Sequence, residues 1–109
     1  MVDITQQNLA AAEQLITGEA LAQMGDIGRC ELVEGRIVPM SPTGWQHGKY
    51  ESRLDYVLKN VVKKHNLGEV LVGEVGVYTR RKPDTVRGAD VIFISNERLA
   101  QVKSTSFLD

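Results

Sequence analysis

Four side chains that can bind a metal or move a proton lie beside segments that the sequence predicts to be ordered. They are Asp90 before the apolar run Val91–Ile94, Glu74 at the start of an alternating segment, Glu31 in a hairpin and His47 in a first helical turn. A carboxylate at the mouth of a buried strand is costly unless a cation or a metal compensates its charge. Carboxylate oxygens suit Mg²⁺ and Mn²⁺, so Asp90 is a candidate metal ligand.

Each of these side chains also has a plainer interpretation. Asp90 could be solvated or paired with a neighbouring cation, and Glu31 and Glu74 could be ordinary surface carboxylates. His47 could orient a phosphate or a water from the helix N-terminus, or be a satisfied core histidine. If the strands of Glu74 and Asp90 pair antiparallel, we expect Glu74 to lie toward the opposite end from Asp90, which argues against joint ligation. None of the four forms a known catalytic motif.

A local excess of positive charge lies in the segment TRRKPDTVR, with Arg80, Arg81, Lys82 and Arg87 around a turn. Such a cluster could contact DNA phosphates, although a solvated loop has the same composition. The net charge of the chain is −1, whereas dedicated nucleic-acid binders are usually basic.

Hydrophobic periodicity predicts the elements that position these residues. Residues 6–24 are weakly helical with a break at Thr17-Gly18, and the Glu34-Gly35 turn predicts a hairpin that pairs Val33 with Arg36. The clearest helix runs from Gln46 to His65, begins after a possible Thr43 cap and carries His47 in line with its apolar side chains. Those predicted to be buried are Tyr50, Leu54, Val57, Leu58 and Val61.

The second half of the chain predicts β structure. Two segments, 69–73 and 74–79, precede the basic turn, and a central strand over 89–95 leads into a short helix over 96–103 with Asn96 as its cap. The order predicts an α/β or α+β fold with N-terminal helices, a β-hairpin and one long helix packed on a mixed sheet.

Composition predicts one soluble domain. The chain has 109 residues, 42% of them hydrophobic and 25% charged. No apolar run approaches the roughly 18 residues of a membrane span, and the N-terminus is unlike a signal peptide. We expect the single cysteine, Cys30, to be a small core residue. A single cysteine excludes an intrachain disulfide. A cytoplasmic location is the expectation.

Three runs together resemble the Uma-type family of restriction endonucleases in the PD-(D/E)XK nuclease superfamily. They are ELVEGRIVPMSPTGWQHGKYESRLDYVL, GEVGVYT and VRGADVIFISNERL, and the likeness extends from about Leu15 to Asp109. The resemblance implies a restriction-endonuclease-like core, DNA as partner and Mg²⁺ or Mn²⁺ as cofactor. It implies catalytic roles for Asp90, His47 and Glu31, with Asp90 as metal ligand. Ala89 stands where the family usually has proline.

The family pattern also includes a later strand with a second acid, followed by a lysine. We therefore expect residues 1–28 to form an N-terminal helical segment and residues 29–109 a partial nuclease domain, inactive by itself and self-associating, most simply as a dimer. The alternative is a non-catalytic module of the same fold that oligomerises or binds DNA weakly. An unrelated α/β interaction domain is a third hypothesis, in which Asp90, His47 and Glu31 would not converge.

Overall fold

The computed structural model describes residues 14–109, and the part of the N-terminal helix predicted before residue 14 lies outside them. The described chain forms three helices and four strands. In chain order these are α1 (Gly18–Gln23), β1 (Cys30–Val33), β2 (Arg36–Pro39), α2 (Trp45–Lys64), β3 (Gly68–Arg80), β4 (Thr85–Ser95) and α3 (Asn96–Leu99).

The four strands form one sheet in the order β2-β1-β4-β3, and each neighbouring pair is antiparallel. A parallel bridge joins Val77 to Leu108 at the outer edge of β3. The predicted fold of helices with a sheet, including the central position of β4, is confirmed. The helix α2 contacts mainly β3 and touches β4.

The β1–β2 hairpin follows from its two turn residues. Glu34 and Gly35 have φ angles of 48° and 78°, as a two-residue hairpin turn requires, and Val33 pairs with Arg36 as predicted. Leu32 of β1 is fully buried and packs with Leu21 of α1 and Val86 of β4. Partly buried neighbours, Cys30 among them, surround this core.

The strand β3 is one continuous strand where the sequence predicts two segments. Val72 pairs with Val91 and Val75 with Ala89, so Gly73 and Glu74 together face a single residue of β4. Two residues opposite one define a β-bulge, which bends a strand without ending it. The predicted break therefore falls on the bulge. The strand β4 also begins earlier than predicted, at Thr85.

The helix α2 has nearly the predicted bounds, but it presents a different face to the sheet. Tyr50, Leu54, Val57 and Val61 are 62%, 49%, 57% and 49% exposed, so the prediction that this stripe is buried is wrong. The buried or half-buried positions are His47, Glu51, Asp55, Leu58, Lys59 and Val62. This face packs against β3 and β4 and brings His47 beside Asp90.

The caps of two helices also differ from the prediction. Gly44, and not Thr43, is the N-cap of α2, and no side-chain cap bond forms there. Ser95 caps α3 by accepting a hydrogen bond from the backbone N–H of Arg98, and α3 ends at Leu99, earlier than predicted. The short helix predicted after Thr17 is confirmed as α1, which the Thr17 side chain caps, but residues 14–17 of the predicted helical run lie outside any helix.

The turn between β3 and β4 is tied to the rest of the fold through Asp84. Its side chain is buried, and one oxygen accepts a hydrogen bond of 2.9 Å from the backbone N–H of Gly18. The other accepts one of 3.1 Å from the N–H of Lys82. The backbone carbonyl of Asp84 accepts from the N–H of Gly35, so both hairpin turns and α1 meet at this residue.

Within residues 14–109, no helix combines the length and apolar character that crossing a membrane requires.

Candidate metal centre

Three potential metal ligands converge where α2 crosses β3 and β4. His47 comes from the first turn of α2, Glu74 from β3 and Asp90 from β4. One ligand atom of each lies within 4.8 Å of the other two. We call these three residues the acidic cluster. Their side chains are between one third and one half exposed, so solvent reaches the cluster.

The bulge in β3 brings Glu74 to Asp90. Glu74 has φ of 64° and follows Gly73 at 93°, and the pair faces Asp90 in the register. A left-handed backbone at a non-glycine residue is uncommon, and such strain is concentrated at functional sites. The expectation that Glu74 lies toward the opposite end from Asp90 is therefore wrong. Because β4 begins at Thr85, Asp90 lies halfway along it and faces the middle of β3.

The imidazole of His47 is aimed at carboxylates. Its Nε2 atom lies 3.3 Å from Oδ1 of Asp90 and 3.4 Å from Oε2 of Glu51. This nitrogen is buried and makes no geometrically acceptable hydrogen bond with any described residue. A buried polar atom without a partner is rare and needs an explanation. A cation between His47 and the two carboxylates of the cluster would satisfy it, so the residues present fit a divalent metal.

The two carboxyls of the cluster interact strongly. The pKa of Glu74 is raised, first by hydrogen bonding with the Asp90 carboxyl and then by burial. The pKa of Asp90 is lowered, first by the same hydrogen bond with Glu74 and further by nearby His47. The hydrogen bond between the two carboxyls thus makes Glu74 the more easily protonated member of the pair. Both carboxylates, together with His47, would hold a divalent cation here.

The guanidinium of Arg29 opposes the rise in the pKa of Glu74. Its Nη2 atom lies 2.8 Å from Oε1 of Glu74, while Nη1 donates to the backbone carbonyl of Ser41 at 3.0 Å. The second bond fixes the guanidinium beside the cluster. No sequence pattern pointed to Arg29, because it is distant from Glu74 in the chain. Glu51 was not predicted either, although its spacing of four residues from His47 on a helix is a usable signal.

A comparison with protein-family models matches residues 14–107 to the Uma2 family, described as "Putative restriction endonuclease". The match covers most of the chain. This protein belongs to the Uma2 family. A comparison with curated proteins finds no match.

The structure places Glu31, the third residue that the Uma2 resemblance implies, outside the acidic cluster. Its Oε1 atom accepts a hydrogen bond of 3.1 Å from Arg87, and its Oε2 atom one of 2.9 Å from the backbone N–H of Gly88. Both oxygens thus connect β1 to β4. Of the three residues that the resemblance implies, His47 and Asp90 meet, while Glu31 supports the strand that carries Asp90.

The arginines of the predicted DNA-binding turn are paired with acids of this Uma2 chain. Arg80 lies 3.0 Å from Glu34, and Arg87 is bound to Glu31. Arg81 lies 2.7 Å from Glu19 and 3.5 Å from Asp84, and it packs over the ring of Tyr78. These pairs offset most of the positive charge around the turn. Contact between Arg80, Arg81, Lys82 or Arg87 and DNA stays a prediction.

Proposed function

We propose that this Uma2 chain carries the metal-binding part of a divalent-metal-dependent DNA endonuclease site, and that His47, Glu74 and Asp90 hold the cation. The observation that carries the proposal is the convergence of these three ligand atoms within 4.8 Å from three separate elements. The left-handed backbone of Glu74 supports it, because such strain is concentrated at functional sites.

The donor set favours Mn²⁺ over Mg²⁺. Carboxylate oxygens bind both ions, but an imidazole nitrogen is a softer donor that suits transition metals better. Mn²⁺ also tolerates mixed oxygen and nitrogen ligands better than Mg²⁺, which prefers to keep its waters. We therefore expect tighter binding of Mn²⁺ than of Mg²⁺ at this cluster.

A bound divalent cation supplies charge stabilisation at a scissile phosphate and lowers the pKa of a water molecule. Four residues of the chain would bind the cation or hold its ligands in place. Asp90 and Glu74 would supply the negative charge that retains the cation. His47 contributes its unpartnered nitrogen, and Arg29 holds Glu74 in place by its 2.8 Å contact.

The proposal is tested by Mn²⁺ titration of the purified chain, with calorimetry and thermal unfolding as readouts. We expect Mn²⁺ to raise the melting temperature, since a ligand that binds only the folded state stabilises it. Glu74→Gln and Asp90→Asn should each abolish this rise. Glu69→Gln is the matched control, because Glu69 is an exposed carboxylate on the same strand. An Mn²⁺ response that survives in both cluster variants would refute the proposal.

Plasmid cleavage with Mn²⁺ or Mg²⁺ then separates the enzyme from the alternative module. Cleavage that is lost in Asp90→Asn would show that a complete catalytic site forms. Metal binding without cleavage would favour the non-catalytic module, and one observation supports that candidate. The exposed stripe of α2, formed by Tyr50, Leu54, Val57 and Val61, is an apolar surface of the kind that mediates self-association.

A further inference from the structure

The charges of α2 are separated between its two sides. Both of its acids, Glu51 and Asp55, belong to the half-buried face that packs toward the sheet. Four of its five cations project into solvent on the other side, and the fifth, Lys59, is bound to Asp55 at 3.3 Å. These four are Lys49, Arg53, Lys63 and Lys64, all exposed.

Two aromatic residues accompany these cations. Trp45 and Tyr56 are 74% and 69% exposed and fall on the same side of the helix by their spacing. The Nζ atom of Lys49 lies 5.8 Å from the centre of the Trp45 ring. We call Trp45, Tyr56 and the four cations together the outer face of α2. Its residues include no acid.

The cations of the outer face differ from those of the arginine turn in being free to bind an external anion. The turn arginines are bound to glutamates of the same chain, whereas Lys49, Arg53, Lys63 and Lys64 have no ion-pair partner among residues 14–109. The chain as a whole has net charge −1, so an acid-free face with four cations is a marked local concentration. Cations without an ion-pair partner can bind the phosphates of a polyanion and release its counterions, and no salt bridge within the protein has to break.

We propose that the outer face of α2 binds the phosphate backbone of duplex DNA. The choice of DNA as partner rests on the proposed function. Lys49 and Lys63 are separated by about 21 Å along a helix, a length over which duplex DNA carries about 12 phosphate charges. Lysine and arginine position a duplex through its phosphates without reading sequence, and tyrosine hydroxyls do the same.

The residues of this face differ from those of the acidic cluster. His47 lies on the sheet-facing side of α2, so substitutions on the outer face leave the candidate metal ligands intact. DNA affinity without metal and metal affinity without DNA can therefore be measured as independent properties. The first tests the outer face and the second tests the proposed function.

The experiment compares the wild-type chain with the triple variant Lys49→Gln, Arg53→Gln, Lys63→Gln. A control triple variant, Arg36→Gln, Arg98→Gln, Lys103→Gln, removes the same charge from exposed positions outside both α2 and the arginine turn. Binding to a labelled duplex of about 20 base pairs, longer than α2, is followed by fluorescence anisotropy in EDTA. The salt dependence is measured for each protein, and circular dichroism checks that each is folded.

We expect the α2 variant to bind at least about tenfold more weakly at low salt, while the control binds within about twofold of wild type. The slope of log K against log salt should fall from about −4 to about −1. Equal losses in both triple variants would overturn the inference, because total charge would then explain binding. Absence of binding by the wild type would overturn it too, and Mn²⁺ titration would still test the acidic cluster.

A second arm separates DNA from an anionic membrane surface, which also attracts basic amphipathic helices. Vesicles with about 30% phosphatidylserine are offered to the same three proteins at the same ionic strength. We expect no cosedimentation. Binding to vesicles with none to duplex would refute the assignment to DNA.

Discussion

Asp84 holds together two turns and a helix in the scaffold of the site. Its carboxylate is 7% exposed and accepts hydrogen bonds from the N–H groups of Gly18 and Lys82. Replacement by alanine leaves the buried N–H of Gly18 without an acceptor and removes one of the contacts that hold α1 to the β3–β4 turn. This turn sets the register that places Glu74 opposite Asp90.

The loss of stability in Asp84→Ala can be estimated from the hydrogen bonds to Gly18 and Lys82. A hydrogen bond to a charged group contributes about 1.5 to 3 kcal/mol, with the buried bond to Gly18 at the upper end and the half-buried one to Lys82 below it. We expect Asp84→Ala to lower the free energy of unfolding by about 3 kcal/mol. For a domain of this size, that corresponds to a fall of about 15 °C in the melting temperature. Asp84→Asn keeps one acceptor and should lose about half as much.

Thermal unfolding at neutral pH, followed by circular dichroism, tests this estimate. Asp26→Ala is the matched control, since the Asp26 side chain also accepts a backbone N–H two residues ahead, at 3.0 Å, but in an exposed turn. It should change stability by less than about 0.5 kcal/mol. A melting temperature of Asp84→Ala within about 3 °C of wild type would refute the reasoning, since it corresponds to less than about 1 kcal/mol.

The pH dependence provides a second check on Asp84. Its pKa is lowered in the folded state, first by the hydrogen bond from Gly18 and then by the one from Lys82. The stabilisation by its charge is therefore complete above the unfolded pKa of about 3.9 and is lost as pH falls through the lower folded value. The difference in melting temperature between wild type and Asp84→Asn should narrow below about pH 4.

Three further predictions concern the cluster and the helix beside it. Gly73→Ala should lower the free energy of unfolding by about 1 kcal/mol, because φ is 93° at this position. It should also weaken Mn²⁺ binding in calorimetry, because the Glu74 side chain would be displaced from the cluster. Unchanged affinity would contradict the role of the bulge. Arg29→Gln should weaken Mn²⁺ binding more at pH 6 than at pH 8, because the pKa of Glu74 rises further when the Arg29 guanidinium is removed. Equal losses of Mn²⁺ affinity at both pH values would argue against this. Leu54→Gln should reduce self-association in analytical ultracentrifugation, and a monomeric wild type would contradict the predicted dimer.

Local patterns predicted the elements well. The Glu34-Gly35 turn specified its hairpin and register because positive φ at two residues allows few alternatives. The bounds of α2 followed from periodicity and from the glycine-containing segment after it. The order of motifs indicated the Uma2 family, which the match to residues 14–107 confirms.

The face that α2 buries could not be predicted in this way. Its apolar stripe is the stronger pattern, yet the helix packs through His47, Glu51 and their neighbours toward the sheet. Periodicity reports which residues share a face, but not which face meets the sheet. The same contacts turn the cations outward, so the outer face of α2 is a property of the packed helix.

The sequence by itself determined most of the elements and the family, and it proposed His47 and Asp90 as site residues, because these depend on local conformation and on the order of residues along the chain. Only the tertiary structure decided that Glu74 joins them and that Glu31 does not. That outcome depends on the early start of β4 and on a bulge of one extra residue in β3. A shift of one residue in strand pairing redirects every side chain, and pairing between strands is a long-range property that no local pattern encodes.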